Sequence, residues 1–202
     1  MISLPRRTAT GLALLSFIAL GGCAAAPSGN PPVVPDGRTE TTVFLIRHAE
    51  KMSETADDPN LSARGRARAE SLAVQLRDSG VNIIITSDLK RTIQTAAPLA
   101  RLRHVMPKVI PIGVSVETHV DRTAEEVLRH PGATVLVVGH NNTVPRIVEK
   151  LGGGRIGDIC TSEYSNLIIL SITKGRPVGI LIESYGMPDP PPTGSCPPLR
   201  SR

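Results

Sequence analysis

Three long apolar runs stand out along the middle of the chain, at residues 41–48, 81–87 and 133–140. Each is a largely unbroken series of Val, Ile and Leu, which is typical of strands buried on both faces of a parallel sheet. Two further apolar runs, at 166–172 and 178–184, flank a Gly-Arg-Pro turn and predict a closing pair of strands.

The segments between these runs carry apolar residues at helical spacing. Ser62 opens the first of them, and Gly80 ends it. Further helices are predicted at about 88–101, with Ser87 or Asp88 as its cap, at 122–130 and at 144–151, and a short strand at 108–112. Helices that alternate with buried strands predict an α/β fold: a three-layer sandwich in which a mostly parallel sheet has helices on both faces.

Composition places this fold in one domain. Of the 202 residues, 40% are hydrophobic and only 2% aromatic, so the core must be aliphatic. The domain is predicted to span residues 41–186, and the Pro-rich stretch 187–202 is predicted to be a disordered tail.

The N-terminus has the layout of an export signal. Two arginines precede an apolar run at 11–20, which is too short to span a bilayer comfortably, and small residues follow it. The sequence LGGC at 20–23 resembles the lipobox of bacterial lipoproteins, which implies a signal peptide at 1–22 and lipidation of Cys23. Residues 23–40 would then tether the domain to a membrane. A plain signal peptide and an unprocessed anchor helix are the alternatives.

These features predict an exported, membrane-anchored lipoprotein of the bacterial cell envelope, on the periplasmic face, with the outer membrane as the expected membrane. Removal of residues 1–22 leaves 21 basic and 18 acidic residues, and no basic run has interleaved aromatics, so we expect no nucleic-acid partner. The histidines are scattered without zinc-ligand spacing, so we expect no metal site. Whether Cys160 and Cys196 form a disulfide stays open, as does the oligomeric state.

Chemically useful residues follow the three strongest predicted strands. His48, Ser87 and His140 each lie at the carboxyl end of one strand. Because parallel strands end at the same edge of a sheet, where α/β proteins bind their ligands, these residues are expected to meet in one site.

Each of three motifs at this edge suits phosphate chemistry. In RHAE, the neutral imidazole of His48 can attack phosphorus while Arg47 holds the phosphoryl group. In SDLKRTIQTA, Arg91 lies in the first turn of a helix whose free amides and positive dipole favour an anion. In VVGHNN, His140 as an imidazolium would donate to a phosphoryl oxygen. Taken alone, His48 and Arg91 are more typical of a structural residue at a strand end and a surface arginine on a capped helix, and GHNN is equally compatible with a turn and cap before a helix.

Together with LSARG at 61–65, these motifs resemble the histidine phosphatase superfamily, also called the phosphoglycerate mutase-like family, over roughly residues 42–170. The compact length resembles the small branch of that family. The resemblance implies a phosphohistidine on His48, a phosphate pocket of Arg47, Arg91 and His140, and no metal or organic cofactor. It also implies a proton donor between the second and third motifs. Glu117 is the first candidate and Asp121 the second, although a capping or solvent-facing role suits either.

The expected function is therefore a phosphohydrolase, such as a phosphomonoesterase, that acts on a phosphorylated small molecule or a phosphoprotein. The main alternative is a noncatalytic envelope lipoprotein that binds a phosphorylated ligand or a partner protein. An esterase or peptidase built on Ser87, His140 and Asp88 would need a nucleophile-elbow sequence, which this chain lacks.

Overall fold

The computed structural model describes residues 39–53, 55–191 and 199. The chain divides into two units: Met1–Pro35, which lies outside the described residues, and Asp36–Arg202, which contains all of them. The predicted signal peptide and Cys23 lie outside the described residues, as do most of the tether and the tail with Cys196. In chain order the elements are β1 (Glu40–Arg47), α1 (Ala63–Gln75), β2 (Ile83–Thr86), α2 (Lys90–Arg103), β3 (Lys108–Val109), α3 (Val116–Leu128), β4 (Thr134–Gly139), α4 (Val144–Lys150), β5 (Asn166–Thr173) and β6 (Gly179–Ser184).

The six strands form one sheet in the order β3-β2-β4-β1-β5-β6. The first four in that order are parallel to one another, and β5 and β6 are added antiparallel. The antiparallel pair fits the short turn between these two strands, because a parallel pair would need a long crossover. The predicted α/β class with a mostly parallel sheet is thus confirmed.

Helices cover both faces of the sheet, and alternation within the central strands assigns the two cores. From β1, Val43 and Leu45 pack into the core that contains the apolar residues of α3 and α4. Their neighbours Phe44 and Ile46 pack into the other core, against α1 and α2. This two-sided burial is the reason that the central strands are unbroken aliphatic runs.

Helix α3 begins six residues earlier than the sequence predicted, at Val116 and not near Arg122. Ser115 is its N-cap and accepts a hydrogen bond from the backbone N–H of Thr118 at 3.1 Å. Polar residues in the first turns hid a helical stripe that is buried in the structure: Val120, Thr123, Ala124 and Val127.

The start of the predicted tail is held against the domain, which corrects its description as disordered from residue 187. The guanidinium of Arg68 in α1 is fully buried and donates to the carbonyls of Tyr185 and Met187 and to Asp189. Asp189 also accepts hydrogen bonds from the backbone and hydroxyl of Ser165, the latter at 2.7 Å. Residues as far as 189 therefore contribute to the fold.

The other partner of Arg68 is Glu50, the last residue of RHAE. Arg68 donates to its carboxylate from Nε and Nη2 at 2.8–3.0 Å, and Arg64 donates to the same group at 3.0 Å. Burial alone would raise the pKa of Glu50, but the hydrogen bonds from Arg68 and Arg64 hold it below its usual value. Glu50 thereby fastens α1 to the loop that carries His48.

Gly65 of LSARG allows α1 to approach that loop. Ser62 caps the helix by accepting from the Gly65 N–H, and the Ser62 N–H donates to the Glu50 carbonyl at 2.9 Å. A Cβ atom at Gly65 would overlap the backbone carbonyl oxygen of Glu50.

We expect Gly65→Ala to lower the free energy of unfolding by about 2 kcal/mol, because the steric overlap outweighs the gain in helix propensity. Urea denaturation measures the change. Ala67→Gly, at an exposed position of the same helix, calibrates the propensity effect at about 1 kcal/mol. A Gly65→Ala protein as stable as the wild type would show that the close approach is not required.

None of the helices in the described residues has an apolar stretch of the length that a membrane span requires. Cys160 takes part in a disulfide bond.

Candidate active site

The carboxyl ends of the parallel strands meet as predicted. His48 follows β1, His140 follows β4, and the backbone N–H of His48 donates to the carbonyl of Gly139 at 2.9 Å, which continues the ladder between the two strands. Above them lies a pocket of about 330 Å³. Its lining consists of Arg47, His48, Lys51, Arg91, Ile112, Val116, His140, Asn141, Asn142, Thr143 and Thr161.

Local contacts fix the tautomer of His48. Its Nδ1 lies 2.8 Å from the carbonyl oxygen of Ala49, and because a carbonyl can only accept, Nδ1 carries the proton. The pKa of His48 is lowered to about 2, chiefly by burial and also by the nearby His140, Arg47 and Arg91, while the hydrogen bond to Ala49 opposes part of the shift. A neutral ring protonated on Nδ1 leaves the Nε2 lone pair available as a nucleophile.

His140 lies beside His48, with 5.3 Å between the ring centroids and an angle of 62° between the planes. Its Nε2 is 3.1 Å from the hydroxyl of Ser87, which is in turn hydrogen-bonded to Thr92. The backbone N–H of His140 donates to Thr143 at 2.9 Å. Ser87 therefore fixes the ring of His140 and is itself held by Thr92 of α2, while Thr143, the N-cap of α4, holds the backbone of His140.

The free site does not support the predicted imidazolium form of His140. Burial, followed by the charge of Arg91, lowers the pKa of His140 to about 3. The sequence could not reveal this, because the number of cations around the ring depends on the tertiary arrangement. Binding of a phosphoryl dianion would raise this pKa, so a proton on His140 would have to accompany the ligand.

Arg47 organises the loop before β5. Its Nη1 donates to the carbonyls of Cys160, Thr161 and Glu163 at 2.8–2.9 Å. The guanidinium also stacks 4.0 Å from the ring centroid of Tyr164, whose hydroxyl accepts from Nη2 at 3.3 Å. Sequence analysis missed Tyr164, because it is distant along the chain and part of no motif.

Arg91 lies in the first turn of α2, as predicted, and lines the pocket. The N-cap is Leu89 and makes no side-chain cap bond, so the expected capping by Ser87 or Asp88 is wrong. Asp58 serves instead: its carboxylate accepts from the Lys90 N–H at 2.9 Å and lies 4.0 Å from Nη1 of Arg91. The acidic segment thus folds onto the positive end of the helix.

Thr95 joins two of the motifs. Its hydroxyl accepts from the backbone N–H of Ala49 at 2.9 Å and donates to the carbonyl of Arg91 at 2.7 Å. Because a single side chain spans the loop of His48 and the helix of Arg91, the nucleophile and the cation are held in a fixed relation. The threonine occurs within SDLKRTIQTA, where only the arginine was singled out.

The predicted proton donors do not lie at this pocket. Glu117 is about half exposed and pairs with Arg146 at 3.2 Å, and Asp121 pairs with Lys150 at 2.7 Å. Both carboxylates lie on the side of α3 that faces α4, which follows from the earlier start of the helix. Among the described residues, no carboxylate lines the pocket.

Two other kinds of site, a serine hydrolase triad and a metal centre, find no support among the described residues. A serine hydrolase would need an accessible nucleophile. Ser87 does lie next to His140, but it is 1% exposed and does not line the pocket. Asp88 accepts from the Ile112 N–H at 3.1 Å and not from His140. Within the described residues there is also no group of three or more His, Cys, Asp or Glu able to hold a metal ion.

The depressed pKa values of the two pocket histidines make stability sensitive to acid. In the unfolded chain both rings take up protons as the pH falls through 6.5, whereas the folded pKa values are about 2 and 3. The contribution of the two neutral rings to the free energy of unfolding is thus fully present above pH 6.5 and is lost as the pH falls towards 3. As the pH falls from about 7 to 5, we expect each ring to lower the free energy of unfolding by an amount on the order of 2 kcal/mol. Urea denaturation of wild type and His48→Asn should show a smaller loss in the variant, and equal losses would contradict the burial of a neutral His48.

Residues 43–112 match the family model described as the histidine phosphatase superfamily (branch 1). The matched segment contains Arg47, His48 and Arg91 and ends before His140. "Probable phosphoglycerate mutase GpmB" from Enterobacter sp. (strain 638) is 34% identical over 101 residues, which cover 42% of this chain and 45% of that protein. The chain therefore spans less than half of the length of this curated relative.

Solved structures share the fold. A mycobacterial glucosyl-3-phosphoglycerate phosphatase superposes with a TM-score of 0.55 at 15% identity, covering 72% of this chain and 98% of that one. A phosphoglycerate mutase from Bacillus anthracis superposes with a TM-score of 0.53 at 16% identity, covering 73% and 93%. At these identities the likeness establishes the fold.

Proposed function

We propose that this chain is a phosphohydrolase of the histidine phosphatase superfamily that acts through a phosphohistidine on His48. One observation carries the proposal: His48, with its Nε2 unprotonated, shares a pocket with Arg47, Arg91 and His140. A nucleophile surrounded by cationic and hydrogen-bonding groups suits the attack on a phosphoryl group.

The reaction has two displacements at phosphorus. Nε2 of His48 attacks phosphorus, a P–N bond forms, and the bond from phosphorus to the leaving oxygen breaks. Water then attacks the phosphohistidine, the P–N bond breaks, and inorganic phosphate leaves with the neutral imidazole restored. Arg47 and Arg91 stabilise the charge that is spread over the phosphoryl oxygens in both transition states.

The leaving oxygen needs a proton unless its alcohol is acidic. The carboxylates predicted to supply it are paired with basic residues outside the pocket. We therefore expect the highest rates on substrates whose leaving groups depart as stable anions. The physiological substrate would be a phosphorylated small molecule or a phosphoprotein.

Hydrolysis of a chromogenic aryl phosphate by the full-length chain tests the proposal. We expect turnover that orthovanadate inhibits competitively, because vanadate mimics the pentacoordinate transition state at phosphorus. Binding of phosphate without hydrolysis would instead support the noncatalytic alternative and contradict the proposal.

We also propose that the protein is exported and anchored in the bacterial envelope through Cys23, on the periplasmic face of the outer membrane. The support is the LGGC sequence after a charged and apolar leader. In a bacterial host, Cys23→Ser should remove the chain from the membrane fraction and abolish labelling by radioactive palmitate. A Cys23→Ser protein that still fractionates with membranes would contradict lipid anchoring at this residue.

A further inference from the structure

One end of the pocket is apolar. The sheet order places the connection after β3, with Ile112 and the first residue of α3, Val116, at the end of the site farthest from β1. Lys51, after β1, and Thr161, before β5, lie at the opposite end. The side chains of Ile112 and Val116 thus form an apolar wall on the Arg91 side of the pocket, at the end away from Arg47 and Thr161.

This apolar wall is anchored by the structure around it. The backbone N–H of Ile112 donates to Asp88 at 3.1 Å, and Ser115 caps α3 directly before Val116. Between them, Gly113 turns the chain with a φ of 64°, which favours glycine. These anchors place the two side chains before any ligand arrives.

The direction of an in-line displacement determines which part of the substrate contacts Ile112 and Val116. The leaving oxygen departs on the side of phosphorus opposite the attacking Nε2, so the alcohol portion of the substrate extends away from His48. Apolar carbon that contacts Ile112 and Val116 is removed from water, which makes the free energy of binding more favourable. Hydroxyl groups at the same place would lose water without a polar partner from these two side chains.

We propose that Ile112 and Val116 are specificity-determining residues that select phosphomonoesters of apolar alcohols, aryl or alkyl, over sugar phosphates. This inference rests on the proposed phosphoryl site and deepens it by naming the substrate class. It uses side chains that contribute nothing to the attack on phosphorus.

The test compares n-hexyl phosphate with sorbitol 6-phosphate, because both are primary esters of open-chain six-carbon alcohols and they differ in their hydroxyl groups. Inhibition constants are measured against the turnover of a chromogenic aryl phosphate by the full-length chain. We expect n-hexyl phosphate to bind about tenfold more tightly. Val116→Thr and Ile112→Thr, which place a hydroxyl in the wall, should each reduce this preference roughly threefold or more.

Val114→Thr is the matched control. It makes the same chemical change in the same connection, at a side chain that is 101% exposed and does not line the pocket. We expect it to leave the ratio of the two inhibition constants unchanged. Equal affinity for the two ligands, or an equal effect of Val114→Thr and Val116→Thr, would overturn the inference. If the chromogenic ester is not hydrolysed, the proposed function fails, and calorimetric titration with the same two ligands still decides the inference.

Discussion

Replacement of His48 by Asn should abolish turnover of an aryl phosphate, with a decrease in kcat of roughly 10⁴-fold or more. Asn can still donate a hydrogen bond to the Ala49 carbonyl, but it has no lone pair able to form a P–N bond. The residual binding of phosphate to Arg47 and Arg91 should remain, so the loss falls on kcat and not on KM. Steady-state kinetics with the chromogenic ester measures both.

A chemical signature accompanies this loss. Wild type mixed briefly with a labelled substrate should retain phosphate in a bond that is labile in acid and stable in alkali, as a phosphohistidine is. His48→Asn should retain none. The matched control is His104→Asn, because His104 is exposed, lies outside the pocket and has a positive φ of 54°, which Asn tolerates. Full turnover in His48→Asn, or label retained in it, would refute nucleophilic attack by this residue.

Replacement of Arg68 by Met should lower the free energy of unfolding by about 3 kcal/mol or more, because it removes one partner of a buried ion pair. The side chains of Glu50 and Asp189 are each 13% exposed and would lose their shared guanidinium donor. Methionine keeps the helix propensity and the unbranched stem, so the loss reflects the charge and its hydrogen bonds. Urea denaturation measures it.

The pH dependence distinguishes this explanation from a packing defect. The depressed pKa of Glu50 contributes stability that is present above 4.5, its value in the unfolded chain, and is lost below it. The difference between wild type and Arg68→Met should therefore narrow below about pH 4.5. Arg66→Met, at an exposed position of the same helix, should cost less than about 1 kcal/mol. A difference that stays constant with pH would contradict the ion-pair explanation.

Much of the fold could be predicted because it rests on local patterns. Unbroken aliphatic runs identified the central strands, and their two-sided burial in the sheet confirms the inference. The predicted α3 was too short because Val116 is the single apolar residue of its first turn and the apolar residues that follow lie three or four apart among polar ones. Such a stripe is narrow, so a few polar neighbours conceal its beginning.

The part of the candidate site that lies at the carboxyl ends of the parallel strands could be predicted from the sequence. Arg47, His48, Arg91 and His140 converge because their strands are adjacent and parallel. What the sequence did not reveal depends on contacts between distant segments. Tyr164 stacks on a guanidinium 117 positions away, and Asp58 reaches the start of α2 from a segment that looked like a loop. The charge state of His140 likewise depends on neighbours that only the folded chain brings together.

The contacts of residues 185–189 with Arg68 determine where the domain can be truncated. Proteolysis or truncation after Gly186 would remove both Met187 and Asp189 from a fully buried guanidinium and would leave Ser165 without its acceptor. A fragment that ends there should be markedly easier to digest than one that ends after 191. The useful C-terminal limit of this domain thus lies in its proline-rich stretch, beyond the last strand.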